Sequence, residues 1–246
     1  MKIKLGGILD LSTVDVPGKP ASVIFLWGCN FRCHFCYNID LVIKKEYQEV
    51  ETGQIVQKLE KSKPFIDAVC ITGGEPTVQP EALTELCEKL KKAGFYVKLD
   101  TNGSNPKLIK DLIELKIVDF VALDVKAPLR PDIYSRVIGV SADEHVNAVR
   151  ETMNILISSN IDYETRAPIV PGLNADTKIL RELAEDVKNA KVFVLEQFWS
   201  GKGTIDLAFS SVKGLSREQM LKAAKFFKNK IVKIRTREAG EEVIKS

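Results

Sequence analysis

Short runs of consecutive apolar residues alternate with longer amphipathic stretches along most of the chain. The first run, Ala21-Ser22-Val23-Ile24-Phe25-Leu26-Trp27, reads as a buried strand. Ala68–Thr72, Phe95–Leu99, Asp119–Leu123, Ile161–Ile169 and Lys191–Leu195 repeat the pattern. Unbroken apolar runs fit parallel strands covered on both faces, because neither face is left to water. Between them, apolar residues recur at helical spacing over Gln54–Lys61, Pro80–Ala93, Pro106–Lys116, Ala142–Ser159 and Thr177–Asn189. Pro80 near the start of one helix and Gly94 past its end are the expected punctuation. A helix over Ser216–Asn229 and a last strand over Ile231–Arg235 close the chain. Strands alternating with helices demand parallel pairing and right-handed crossovers. The pattern predicts an α/β fold, a partial (β/α)6 TIM-like barrel, in one domain over 1–246. Residues 1–20 form a lead-in, 21–200 the barrel core and 201–246 the C-terminal helix and strand.

A length of 246 residues suits a single α/β barrel, and 45% hydrophobic residues supply a sizeable core. The net charge of +3 and pI near 8.5 make no case for nucleic-acid or membrane partners. No stretch approaches the length of a membrane span, and the N-terminus lacks the apolar core of a secretory signal. The five cysteines are odd in number, and three are clustered. That argues for a reducing cytoplasm and a metal role rather than a disulfide frame.

The cluster is Cys29, Cys33 and Cys36, spaced C-x3-C-x2-C on the loop leaving the first strand. Thiolates are soft ligands that several irons or a zinc can share. A structural zinc site would want a fourth ligand, and no second cysteine pair follows. Three cysteines on a four-iron cluster leave one iron open for chemistry. Other polar and glycine motifs fall at strand ends, where the loops of such barrels carry function. Gly73-Gly74-Glu75-Pro76 follows the second strand, Asp100-Thr101-Asn102-Gly103 the third and Asp124-Val125-Lys126 the fourth, with Arg166 at the end of the fifth. Glycines let bare backbone approach a ligand. Two carboxylates at neighbouring strand ends could bind a cation, be paired by lysine, or act as acid and base.

The cysteine spacing, with Phe35 just before the third cysteine, resembles the radical S-adenosylmethionine (SAM) superfamily. The resemblance covers almost the whole chain and implies a radical-SAM-type barrel holding a [4Fe-4S] cluster on Cys29, Cys33 and Cys36. It implies that the open iron chelates SAM and that Gly73, Gly74 and Glu75 receive its amino group. Asp100-Thr101-Asn102-Gly103 and Asp124-Val125-Lys126 resemble the pyruvate formate-lyase activating enzyme, where the matching groups build a monovalent-cation site beside the SAM carboxylate. Asp100, Asn102, Asp124, Lys126 and Arg166 are thereby implied as cofactor contacts. A plain Asp–Lys salt bridge, a turn at Asn102-Gly103 and a rim salt bridge for Arg166 stay open. Ser12-Thr13-Val14-Asp15-Val16-Pro17-Gly18 resembles the opening of that enzyme and implies that Asp15 lies near the partner's glycine loop; a turn-capping aspartate is the alternative.

In Leu99–Pro106 and Asp124–Pro128 the chain resembles the anaerobic ribonucleoside-triphosphate reductase activating branch. The implied partners are a glycyl-radical enzyme as protein substrate and reduced flavodoxin or ferredoxin as electron donor, in an anaerobic cytoplasm. Two positions depart from relatives: Tyr37-Asn38 follows the third cysteine where His-Asn is frequent, and Gln197 stands where the pyruvate formate-lyase activator has a histidine. Cys70 and Cys87 read as core, and the lysine-rich tail as a solvated face. The other readings are a radical SAM enzyme acting on a small molecule, like the 7-carboxy-7-deazaguanine synthases, and a non-catalytic iron–sulfur or zinc scaffold.

Overall fold

A computed structural model of the chain describes residues 1–44, 47–201 and 203–244. They form two compact units. The first comprises Met1–Asn30, Asn38–Thr101 and Asn105–Ala122. It contains β1 (Lys2–Ser12), β2 (Ala21–Leu26), α1 (Ile39–Val42), β3 (Gln48–Glu51), α2 (Thr52–Glu60), β4 (Ala68–Gly73), α3 (Pro80–Lys92), β5 (Tyr96–Thr101), α4 (Pro106–Glu114) and the first residues of β6 (Phe120–Asp124). Its strands run in the order β3-β1-β2-β4-β5. β2, β4 and β5 are parallel, as their apolar runs predict. Val16, Ala21, Val23, Ala68 and Cys70 form one buried cluster, with Phe25 and Tyr96 packed against it.

The lead-in differs from expectation. Lys2–Ser12 is an eleven-residue strand, antiparallel to both β2 and β3. Ile3 and Leu5 point inward, but the register shifts between Leu5 and Gly7 and again between Leu9 and Ser12. Each shift turns subsequent side chains to the other face and erases the alternation that marks a half-buried strand.

The second unit comprises Phe31–Tyr37, Asn102–Ser104 and the chain from Leu123 onward. It holds the end of β6, α5 (Pro131–Ile138), α6 (Asp143–Ser158), β7 (Asp162–Ile169), α7 (Thr177–Asp186), β8 (Val192–Gln197), α8 (Arg217–Ala224), β9 (Ile231–Thr236) and β10 (Gly240–Ile244). β7, β8 and β9 are parallel neighbours, and β10 folds back antiparallel on β9. The predicted last strand is thus a further parallel β/α repeat rather than a tail. A capping box at α8, with Ser216 and Gln219 closing on each other's backbone, starts the helix that feeds it. α5 begins with Pro131 at its first turn and was hidden by the prolines around it. Among the described residues no helix is long and apolar enough to cross a membrane.

Candidate active site

In the first unit, the turn after β4 is built against the turn after β2. Gly74 N–H donates to Leu26 O at 2.9 Å, and Glu75 N–H to Gly28 O at 2.7 Å. Two glycines make this possible. Gly73 has φ +126°, and a Cβ on it would lie 2.3 Å from Leu26 O. A Cβ on Gly74 would lie 2.1 Å from Gly28 O and 3.2 Å from the Cβ of Cys29. The glycines here admit backbone to backbone, and so set where Cys29 leaves β2. Glu75 is only 1% exposed. Its Oε1 accepts from Thr77 N–H at 3.1 Å, Thr77 Oγ1 at 2.6 Å and Thr101 Oγ1 at 2.8 Å. The carboxylate therefore braces the turn and ties it to the end of β5. Asn38 Nδ2 donates to Gly73 O at 3.4 Å. On β5, Asp100 Oδ1 lies 2.5 Å from Lys98 Nζ. Asp15 accepts a hydrogen bond from Ser12 Oγ at 2.5 Å, within the turn that follows β1.

The second unit holds Cys33 and Cys36. Cys36 N–H donates to Cys33 O at 2.9 Å, which curls the loop into a turn. Arg32 N–H donates to Ile138 O at 2.8 Å, Asp206 N–H to His34 O at 3.0 Å and Ile205 N–H to Cys36 O at 3.0 Å. The side chains between the cysteines anchor it further: Phe31 packs on Tyr134 and His145, Phe35 on Phe198, and Tyr37 on Trp199. The sequence placed the cysteines on a loop leaving a strand; the fold also fastens the backbone of residues 32–36 to α5 and to residues 205–206.

Asp124, Lys126 and Arg166 come together in this unit. Lys126 Nζ lies 3.0 Å from Asp124 Oδ2, and Arg166 Nε and Nη2 each lie 2.9 Å from Asp124 Oδ1. Arg166 lies inside β7, three residues before its end, and not at the strand end as expected. It reaches Asp124 because its side chain is long, and Val125 N–H donates to Arg166 O at 2.7 Å. Burial pushes the Asp124 carboxyl up, but the charges of Arg166 and Lys126 outweigh it and hold the group down at about 2. Burial alone would lower Lys126; the charges of Asp124 and Cys33 raise it instead. The phenol of Tyr134 is raised by burial.

Other predicted residues have local partners. Asn102 Oδ1 accepts from Ser104 N–H at 3.0 Å, an Asx turn. Gln197, at the end of β8, donates from Nε2 to Leu215 O at 2.7 Å and accepts from Arg237 N–H at 2.9 Å. Both ends of its amide thus hold the C-terminal segment. Cys70 and Cys87 are fully buried. Among the described residues no three His, Cys, Asp or Glu side chains converge on one point as ligands of a single metal ion would. Sequence reasoning missed Lys98, Thr77 and Thr101. Lys98 carried a signal, a lysine inside an apolar strand two residues before Asp100 and therefore on the same face.

The donor set fits an iron–sulfur cluster in its chemistry: three thiols in eight residues, none in a disulfide. Cys33 also lies within electrostatic reach of Lys126.

The sequence profile of the Radical SAM superfamily matches residues 23–187. The chain belongs to the radical SAM superfamily. A protein of Methanocaldococcus jannaschii, provisionally named a glycyl-radical enzyme activating enzyme, is 36% identical over 202 residues, 80% of this chain and 81% of its own. The pyruvate formate-lyase-activating enzyme of Clostridium pasteurianum is 28% identical over 238 residues, 92% and 97% of the two chains. The chain is accordingly a radical SAM enzyme of the glycyl-radical enzyme activating family, which works with a [4Fe-4S] cluster and SAM. A radical SAM methyltransferase from Sphaerobacter thermophilus shares the fold, with a TM-score of 0.69 at 13% identity over 92% of this chain and 68% of its own. The α/β class expected from the apolar runs is thus the class of the superfamily.

Proposed function

We propose that this radical SAM enzyme installs the glycyl radical of an anaerobic ribonucleoside-triphosphate reductase. The observation that carries the reading is the cysteine loop on a chain 36% identical over 202 residues to a provisional activating enzyme. The Leu99–Pro106 and Asp124–Pro128 segments resemble those of the reductase-activating branch, which favours that partner. Cys29, Cys33 and Cys36 would hold three irons of the cluster. When bound and reduced, the cluster supplies one electron to SAM, which breaks into methionine and a 5'-deoxyadenosyl radical able to take a hydrogen atom from the glycine Cα. Gly73 and Gly74 would offer backbone to the SAM amino group, and Glu75 fixes that turn through Thr77 and Thr101. Asp124, Lys126 and Arg166, paired with one another, would serve as further contacts of SAM, and Asn102 shapes the loop after β5. Asp15 stands at the turn that would meet the incoming glycine loop. Reduced flavodoxin or ferredoxin is the proposed electron donor.

The test is anaerobic reconstitution with iron and sulfide, reduction, and addition of SAM with the reductase. The expected result is 5'-deoxyadenosine and methionine, together with a glycyl-radical signal by electron paramagnetic resonance. The Cys33→Ala variant should bind no cluster and yield neither. SAM cleavage without a glycyl signal would refute the partner; no cleavage by the iron-loaded wild type would refute the reaction.

A further inference from the structure

Lys98 sits where lysines are rarely found. It lies in the middle of β5 and is 2% exposed. Its ammonium is 2.5 Å from Asp100 Oδ1, 3.8 Å from Cys70 Sγ on the neighbouring strand and 5.9 Å from the ring centroid of Phe120. An unpaired ammonium among such neighbours would shed its proton or leave for water. Here the carboxylate two residues along the same face holds it, and it holds the carboxylate. The second unit repeats the device independently, with Asp124 between Lys126 and Arg166. Asp100 thus has a side-chain cation in contact, and so has Asp124. A soluble cation arriving at either carboxylate would meet a positive side chain already in place.

We propose that Lys98 is the resident counter-cation of Asp100. Its ammonium fixes the carboxylate near the C-terminal end of β5 and removes any need for K⁺ or Na⁺ at that carboxylate. Lys98 is a positioning residue: it acts through Asp100. The inference does not depend on the reductase or on SAM cleavage, and its test runs on the apoprotein, so the two readings can fail separately.

The experiment is thermal unfolding of the anaerobic apoprotein in KCl, NaCl or tetramethylammonium chloride at equal ionic strength. The wild type should melt at one temperature in all three. Lys98→Met leaves Asp100 without its ammonium and should recruit a small cation. Its Tm should fall in tetramethylammonium and rise saturably with K⁺ or Na⁺, by about 3–6 °C at a tenfold excess over Kd. Adding Asp100→Asn should abolish the response. A wild-type Tm that rises saturably with K⁺ or Na⁺, and loses the rise in Asp100→Asn, would overturn the proposal. So would a folded Lys98→Met indifferent to both ions. If Lys98→Met folds in no salt, Lys98→Met/Asp100→Asn decides: a folded double variant traces the failure to the unpaired carboxylate, as proposed, and an unfolded one shows that Lys98 serves something other than Asp100.

Discussion

Gly74→Ala tests whether the turn after β4 sets the position of Cys29. The new methyl would lie 2.1 Å from Gly28 O, 2.7 Å from Gly28 C and 3.2 Å from the Cβ of Cys29. The first two are backbone atoms, which cannot swing aside as a side-chain end can. Relief requires the two turns to separate by roughly 1–2 Å, the gap between these contacts and ordinary van der Waals distance. That separation breaks the Glu75 N–H to Gly28 O bond, at about 0.5–1.5 kcal/mol. The overpacking itself costs about 1–3 kcal/mol. Together they amount to about 2–4 kcal/mol, or roughly 5–15 °C in Tm for a chain of this size. Thermal unfolding measures the stability. Iron content after reconstitution, well below the lowered Tm, measures whether Cys29 is still placed to bind. Gly7→Ala is the control, because a Cβ there meets nothing within 4 Å; it should stay within about 0.5 kcal/mol of wild type. A Gly74→Ala protein with wild-type Tm and full iron would refute the reasoning.

Three further outcomes follow from burial and charge. Asp124→Asn removes the carboxylate that Arg166 and Lys126 share, and breaking such a buried pair from one side should cost about 3–5 kcal/mol in urea unfolding. The pH dependence has a definite sign. The depressed carboxyl, about 2 against an ordinary 3.8, contributes stability in full above the ordinary value and loses it as pH falls through about 2. The gap between wild type and Asp124→Asn should therefore be level above about pH 5 and close between about pH 4 and pH 2; a gap that stays level throughout would refute the assignment. Burial pushes the Cys87 thiol up to about 12, so iodoacetamide at pH 8 should leave it unmodified in the native protein and label it in urea. Rapid native labelling, read by peptide mass spectrometry, would refute that burial.

Features confined to a few neighbouring residues were legible in the chain. The three cysteines, the Gly-Gly-Glu-Pro turn and the two aspartate strand ends are local patterns, and the apolar runs marked β2 and β4 to β9 because burial on both faces demands apolar residues throughout. β1 was not legible, since two register shifts erase its alternation. Nor was β10, an edge strand with no buried residue, whose Glu241 pairs with Lys233 and Arg235 and whose Glu242 pairs with Arg217.

Tertiary structure alone decided which charges meet. Asp124 and Arg166 lie 42 residues apart, and only the placement of β6 and β7 within the fold brings them into contact. Lys98 and Asp100 are two residues apart, yet their meaning also depended on burial: exposed, the pair would be an ordinary surface contact worth little, whereas inside β5 each charge requires the other. The same holds for Glu75. Its sequence neighbours marked a ligand-facing turn, while the fold showed its carboxylate enclosed by Thr77 and Thr101. Sequence determines which groups are available. The low dielectric and close packing of the folded interior determine which of them must pair.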